Sequence, residues 1–134
     1  MSPDQRFAVV AGVSGIFAVG IGAFGAHALA GRLTPDLTAI FETAARYHMY
    51  HTLGLLGVAW ALSRWPNGSA LPWAGWLFIA GTTIFSGSLY ALALTGARWL
   101  GAVTPVGGVC LLTGWASFAW GVGRATSHTG GRHS

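Results

Sequence analysis

Ten Asp, Glu and Arg residues punctuate this chain, yet none of them falls within residues 7–30, 47–63, 71–95 or 104–122. Those four intervals are almost wholly apolar. An α-helix rises 1.5 Å per residue, so about 20 residues cross a hydrocarbon core of roughly 30 Å. The intervals are close to that length. The pattern predicts an all-α polytopic membrane protein whose four transmembrane helices, about 7–30, 47–64, 71–95 and 104–123, form an antiparallel bundle.

The residue balance leaves little else. Hydrophobic residues make up 53% of the chain and charged ones 7%, where a soluble domain carries roughly 25% charged. A water-facing surface cannot be built from that, and no polar stretch is long enough for a soluble module. A single transmembrane domain therefore occupies 1–134. The seven Arg, with no Lys, are scattered singly at interval ends. They read as topology and headgroup anchors, so the lipid bilayer is the expected partner and nucleic acid is not. Cys110, the only cysteine, rules out an internal disulfide and reads as a packing residue.

Ala28-Leu29-Ala30 imitates a signal-peptide cleavage site. The apolar stretch before it runs about 20 residues, beyond the 7–15 of a signal core, so 7–30 reads as a retained span.

The connections carry helix-start and turn signals. Thr34-Pro35 and Thr104-Pro105 each read as a cap followed by a first-turn proline. A helix from Pro35 has Asp36 at its positive end. Leu37, Ile40, Phe41 and Ala44 then form an apolar stripe, and Glu42 and Arg46 are spaced for an exposed ion pair. This predicts a short amphipathic interfacial helix, about 35–46, running straight or bent into the second span. The segment 64–69 is turn chemistry joining the second and third spans as a hairpin. Trp65, Trp73 and Trp99 sit at interval ends, as interfacial aromatics do. The polar residues 125–134 read as a mobile tail, with His128 and His133 in solvent.

Helix association in lipid relies on close backbone approach, which small residues permit. Ser14, Ala18, Gly22 and Ala26 line one stripe of the first span. Ala74, Gly81 and Ser88 recur every seven residues in the third, and Gly107, Gly114 and Gly121 in the fourth. These stripes are expected to hold the protein's own bundle together. Four spans put both termini on one side with Arg6, Arg64, Arg124 and Arg132, against Arg32, Arg46 and Arg98 on the other. The count places the termini in the cytoplasm.

Few residues have chemical potential. Ionisable side chains inside a span generally face the protein interior, which makes His27 and the segment 47–51, with Tyr47, His48 and His51, the candidates. The first span ends where the second begins, so His27 and His51 are expected at one membrane side and able to meet. Thr43, Tyr47 and His51 share a helical face, while His48 aligns with Ala44 and Thr52. The expected polar cluster is thus His27, Tyr47 and His51, with Glu42 and Arg46 at its rim. Such a cluster suits a hydrogen-bonded knot between helices; a metal, a haem, a quinone headgroup or a proton relay are the chemical alternatives. A structural zinc site normally wants four ligands, and no catalytic constellation is complete, so neither catalytic residues, metal nor cofactor are expected.

Gly22-Ala23-Phe24-Gly25-Ala26-His27, Phe85-Ser86-Gly87-Ser88-Leu89-Tyr90 and Thr104-Pro105-Val106-Gly107-Gly108, with Tyr47 and His51 between them, resemble the domain-of-unknown-function 423 family across nearly the whole chain. The resemblance implies a four-helix membrane protein of the bacterial inner membrane and brings no established activity. Members of that family typically carry Gln in the stretch before the second-span histidine, so His48 reads as a local variant. Ser86, Ser88 and Tyr90 form a secondary polar feature within the matching motifs. Almost no other polar residue lies mid-span and no inverted repeat is visible, which argues against a pump or coupled transporter. The expected role is a non-catalytic accessory or scaffold component of a membrane complex, alongside other membrane-protein subunits. The rival is a small-molecule, quinone or metal site using the His/Tyr cluster near one membrane face.

Overall fold

The computed structural model describes residues 1–129, which fold into helices α1 (Pro3–His27), α2 (Pro35–Arg64), α3 (Leu71–Thr95) and α4 (Thr104–Thr129), with a short 3-10 turn, Arg98–Ala102, before α4. Each start follows local chemistry. Gln5 Oε1 accepts the Ser2 N–H 3.0 Å away at the head of α1, and Thr34 Oγ1 accepts the Leu37 N–H at the head of α2, with Pro35 in its first turn. Gly96, at φ +72°, ends α3 in the left-handed conformation, its N–H donated to the Leu92 carbonyl.

Three of the helices, α1, α3 and α4, are long and apolar enough to cross a membrane. The 30-residue α2 is long enough but less apolar, because it carries the histidines and Arg46. Its 35–46 part is no separate element: those residues form the first turns of one continuous helix. Helix α4 runs on through 125–129, where a tail was expected. Residues 130–134, with Arg132 and His133, and the side chain of His128 lie outside what is described.

Successive helices pack on one another, α1 on α2, α2 on α3 and α3 on α4. Helix α2 contributes the most buried residues, among them Ala44, His48, His51, Leu55, Val58 and Leu62. The core, including Phe7, Leu55, Val58, Leu71 and Phe78, lies between α1, α2 and α3 and reaches Leu111 of α4. The seven-residue stripes of α3 and α4 lie in the seam between these two helices. A methyl on Gly107 would lie 2.5 Å from the Phe85 backbone nitrogen, and one on Gly114 2.8 Å from the Phe78 ring. The outer faces are the reverse of a soluble protein's. Val13, Ile16, Phe17 and Val19 on α1, and Val109, Leu112 and Trp120 on α4, are exposed, a far larger apolar surface than water-soluble monomers present.

Candidate functional site

Three of the six buried polar residues, His48, His51 and Thr52, lie on α2, in two hydrogen-bonded networks that reach the three other helices. Helix α2 supplies both because Ala44, His48, His51, Leu55, Val58 and Leu62 are spaced alternately four and three apart, which keeps them on one buried face.

The first network centres on His48, 9% exposed. Its Nδ1 lies 3.1 Å from the Tyr90 hydroxyl of α3, and its Nε2 lies 3.2 Å from Ser14 Oγ of α1. Ser14 Oγ is 2.6 Å from Thr52 Oγ1, which donates to the His48 carbonyl at 2.9 Å. A carbonyl only accepts, and this fixes the direction of the chain. Thr52 donates to the carbonyl, Ser14 donates to Thr52, His48 Nε2–H donates to Ser14, and Tyr90 donates to His48 Nδ1. His48 Nε2 thereby carries a proton, and a neutral His48 is the Nε2–H tautomer, assigned from its hydrogen bonds.

The second network centres on His51, 4% exposed. The Trp115 indole N–H of α4 donates to its Nε2 at 3.0 Å, and its Nδ1 lies 2.7 Å from the Tyr47 carbonyl. Indole nitrogen only donates and a carbonyl only accepts, so His51 is the neutral Nδ1–H tautomer. Phe78 packs edge-on to its ring at 5.4 Å and tilted against Trp115 at 4.7 Å. One turn of α2 thus holds two histidines in opposite tautomers, each with both ring nitrogens engaged. Neither offers a free lone pair to a metal without breaking a bond to a neighbouring group.

The structure does not bring His27 to His51. His27 is exposed at the end of α1 and belongs to neither network. The physical reason is depth. Helix α2 begins at Pro35, so His51 lies sixteen residues, roughly 24 Å, along its axis. The end of α1 instead meets α2 near Phe41, whose ring occupies the space a side chain at Gly25 would need. The α1 residue at the histidine level is Ser14. Tyr47 is 40% exposed; its ring lies tilted against Phe85 at 4.7 Å and stacked on the His51 ring at 6.1 Å, and its carbonyl also serves His51. Glu42 and Arg46 form an exposed pair at 3.6 Å, away from both networks. His48, expected as a local variant on another face, is buried and bonds through its two ring nitrogens to α1 and α3.

The secondary polar feature of α3 reaches three partners. Ser86 donates across to the Ala44 carbonyl of α2 at 2.8 Å. Ser88 lies 2.6 Å from Thr104 Oγ1 of α4 and also donates to the Phe85 carbonyl. Tyr90 reaches His48. Near the start of α2, outside the apolar intervals, Arg98 and Asp36 form an exposed ion pair at 2.6 Å. Among the described residues no group of three or more His, Cys, Asp and Glu is placed to hold a metal ion.

Residues 21–108 match the family model described as protein of unknown function (DUF423). The chain belongs to the DUF423 family. It is 48% identical to the UPF0382 membrane protein SERP0230 of Staphylococcus epidermidis over 109 residues, 81% of this chain and 88% of that relative. It is 42% identical to the UPF0382 membrane protein YwdK of Bacillus subtilis, over 81% of this chain and 89% of the relative. No solved structure matches. Like these relatives the chain is a membrane protein of an uncharacterised family, and three of its helices have the length and apolarity to cross a bilayer. The family motif around Gly25 has a physical reading in this fold: it is where the Phe41 ring of α2 seats on α1.

Proposed function

We propose that this DUF423 protein is a four-span bundle of the bacterial inner membrane, with cytoplasmic termini, serving as a non-catalytic accessory or scaffold component of a membrane complex. The observation that carries this reading is the closure of the two histidine networks. Both ring nitrogens of His48 and of His51 are used to tie α2 to a neighbouring helix or to its own backbone, so the polar chemistry of the interior goes into holding the fold.

Helix α2 is the fourth span in this reading. Its His48, His51 and Thr52 side chains turn inward, so low hydropathy there does not mean contact with water, and polar groups in lipid satisfy one another across helices. At roughly 45 Å it exceeds the hydrocarbon thickness by about ten residues, which leaves Pro35 and the following turns at the interface. The exposed apolar faces of α1 and α4 are then available to lipid or to partner subunits.

Two experiments test the proposal. Purification in a gentle detergent should recover a stoichiometric membrane partner; a monomer that never co-purifies with another subunit would contradict the accessory role. In a Cys110→Ser background, single cysteines at Ser2 and Asn67 should react with an impermeant thiol reagent from one side, and those at Thr34 and Gly101 from the other. Labelling of Ser2 and Thr34 from the same side would overturn the span count.

A further inference from the structure

The arginines are scattered along the sequence, yet the fold brings two of them to one cavity. Arg64 ends α2 and Arg124 lies near the end of α4, and both line a recess of about 510 Å³ at the turn that joins α2 to α3. The wall also includes Trp65, Asn67 and Ser69 of that turn and Trp120 of α4. Arg64, Asn67, Ser69, Trp120 and Arg124 are all exposed, so the polar groups of the wall are open to a ligand. The Arg124 guanidinium lies 5.5 Å from the centre of the Trp120 ring, a cation–π contact that holds it at the level of the indole.

Depth and charge set what this cavity can take. From Thr104 to Arg124, α4 covers roughly 30 Å, one hydrocarbon thickness. Helix α3 begins at Leu71, directly after the turn. With α3 and α4 in the bilayer, the cavity lies at the level of the lipid headgroups, where the exposed Trp73 and Trp120 also belong. No Asp or Glu lines it. Asp36 and Glu42 are paired with Arg98 and Arg46 at the opposite end of α2, and Asp4 lines a separate recess across Pro66. Arg64 and Arg124 thus have no carboxylate partner among the described residues. The Asn67 amide and the Ser69 hydroxyl add two donors whose side chains bond to no other described residue.

We infer that this cavity binds the phosphate of a net-anionic phospholipid, with Arg64 and Arg124 supplying the charge and Asn67 and Ser69 donating to its oxygens. Guanidinium suits phosphate because its planar fork of donors matches the oxygens. A basic residue at a membrane surface strengthens binding to anionic lipid by about fivefold. A zwitterionic lipid brings an ammonium along with its phosphate, and with no carboxylate in the wall that charge has nothing to face. Soluble phosphate shares the recognition chemistry. The lipid is favoured because the bilayer delivers it at this depth and at far higher local concentration. The inference needs α3 and α4 in the membrane and is independent of the accessory role.

Native mass spectrometry of the full chain, released from detergent with equimolar dioleoylphosphatidylglycerol and dioleoylphosphatidylcholine, reads the bound lipid. The anionic lipid should be retained about five- to tenfold over the zwitterionic one. Arg64→Gln and Arg124→Gln should each cut that retention about fivefold and leave phosphatidylcholine unchanged. Arg6→Gln removes the same charge from the same end of the bundle but outside the cavity, and should leave the ratio as it is. Ser69→Glu puts an anion in the wall and should abolish the preference; it serves if an Arg variant fails to fold, as circular dichroism would show. Excess inorganic phosphate should not displace the anionic lipid, and displacement would give the site to the soluble anion and overturn the lipid assignment. Equal retention of the two lipids, or as large a loss in Arg6→Gln as in Arg64→Gln, would overturn the inference and leave only the diffuse charge of this face.

Discussion

Gly107→Ala should force α3 and α4 apart. The added methyl would sit 2.5 Å from the backbone nitrogen of Phe85, 2.8 Å from its Cα and 2.9 Å from the Gly81 carbonyl oxygen. Ordinary contact begins near 3.4 Å, so the methyl is about 0.9 Å too close to the nearest atom. All three atoms are α3 backbone, so no rotamer change relieves the clash. Overpacking of this kind costs about 1–3 kcal/mol. Opening the seam by about 0.5–1 Å also forfeits a quarter to a half of the dispersion attraction between the atoms that face each other across it. Alanine returns up to about 1 kcal/mol through its better helix propensity. The net expectation is a loss of about 2 kcal/mol, roughly a thirtyfold shift in the unfolding equilibrium. The assay is reversible SDS unfolding in mixed micelles, followed by tryptophan fluorescence. Gly20→Ala, where an added methyl meets nothing within 4 Å, is the control and should be neutral or slightly stabilising. If Gly107→Ala unfolds at the same SDS fraction as Gly20→Ala, the close α3–α4 approach does not exist in the protein.

Three further outcomes are expected. His27→Ala should change stability by no more than about 0.5 kcal/mol in the same titration, because His27 is exposed and outside both networks. Trp115→Phe keeps an aromatic ring but leaves His51 Nε2 without its donor; it should cost about 1–2 kcal/mol, with a double-mutant coupling to His51→Ala of about 0.6–1.7 kcal/mol. Arg98→Ala removes an ion pair whose side chains are 62% and 56% exposed; the loss should stay below about 1 kcal/mol and vanish near 1 M salt, where screening acts within about 3 Å.

The helices were legible because charge is expensive in lipid: the four charge-free intervals fall within α1 to α4, apart from the last residues of the first. The Thr34-Pro35 signal marks the start of α2 through its cap; Thr104-Pro105 marks where α4 starts, but Thr104 is its first helical residue and its hydroxyl bonds Ser88 and the Leu100 carbonyl in place of capping it. The candidate site was harder to read. Pairing His27 with His51 assumed that both lie at one depth, but the length of α2 before its histidines is a tertiary matter that interval ends do not encode. The inner face of α2 was present in the sequence in another form. Ala44, His48, His51, Leu55, Val58 and Leu62 repeat at alternating spacings of four and three, a pattern that includes both histidines. A strict four-residue row through Thr43, Tyr47 and His51 drifts off that face. The partners Ser14 and Trp115 had no such signal, because a lone serine among small residues and one of seven tryptophans look the same whether they face lipid or a histidine.

The account rests on two interior histidines held neutral in opposite tautomers by neighbouring helices. Solid-state nitrogen NMR of the histidine side chains in bilayers measures this directly, with His48→Gln and His51→Gln assigning the signals. The expected spectrum shows a protonated Nε2 for His48 and a protonated Nδ1 for His51, both unmoved by exchange of the bulk solvent. Two histidines in the same tautomer, or averaging freely with water, would contradict it.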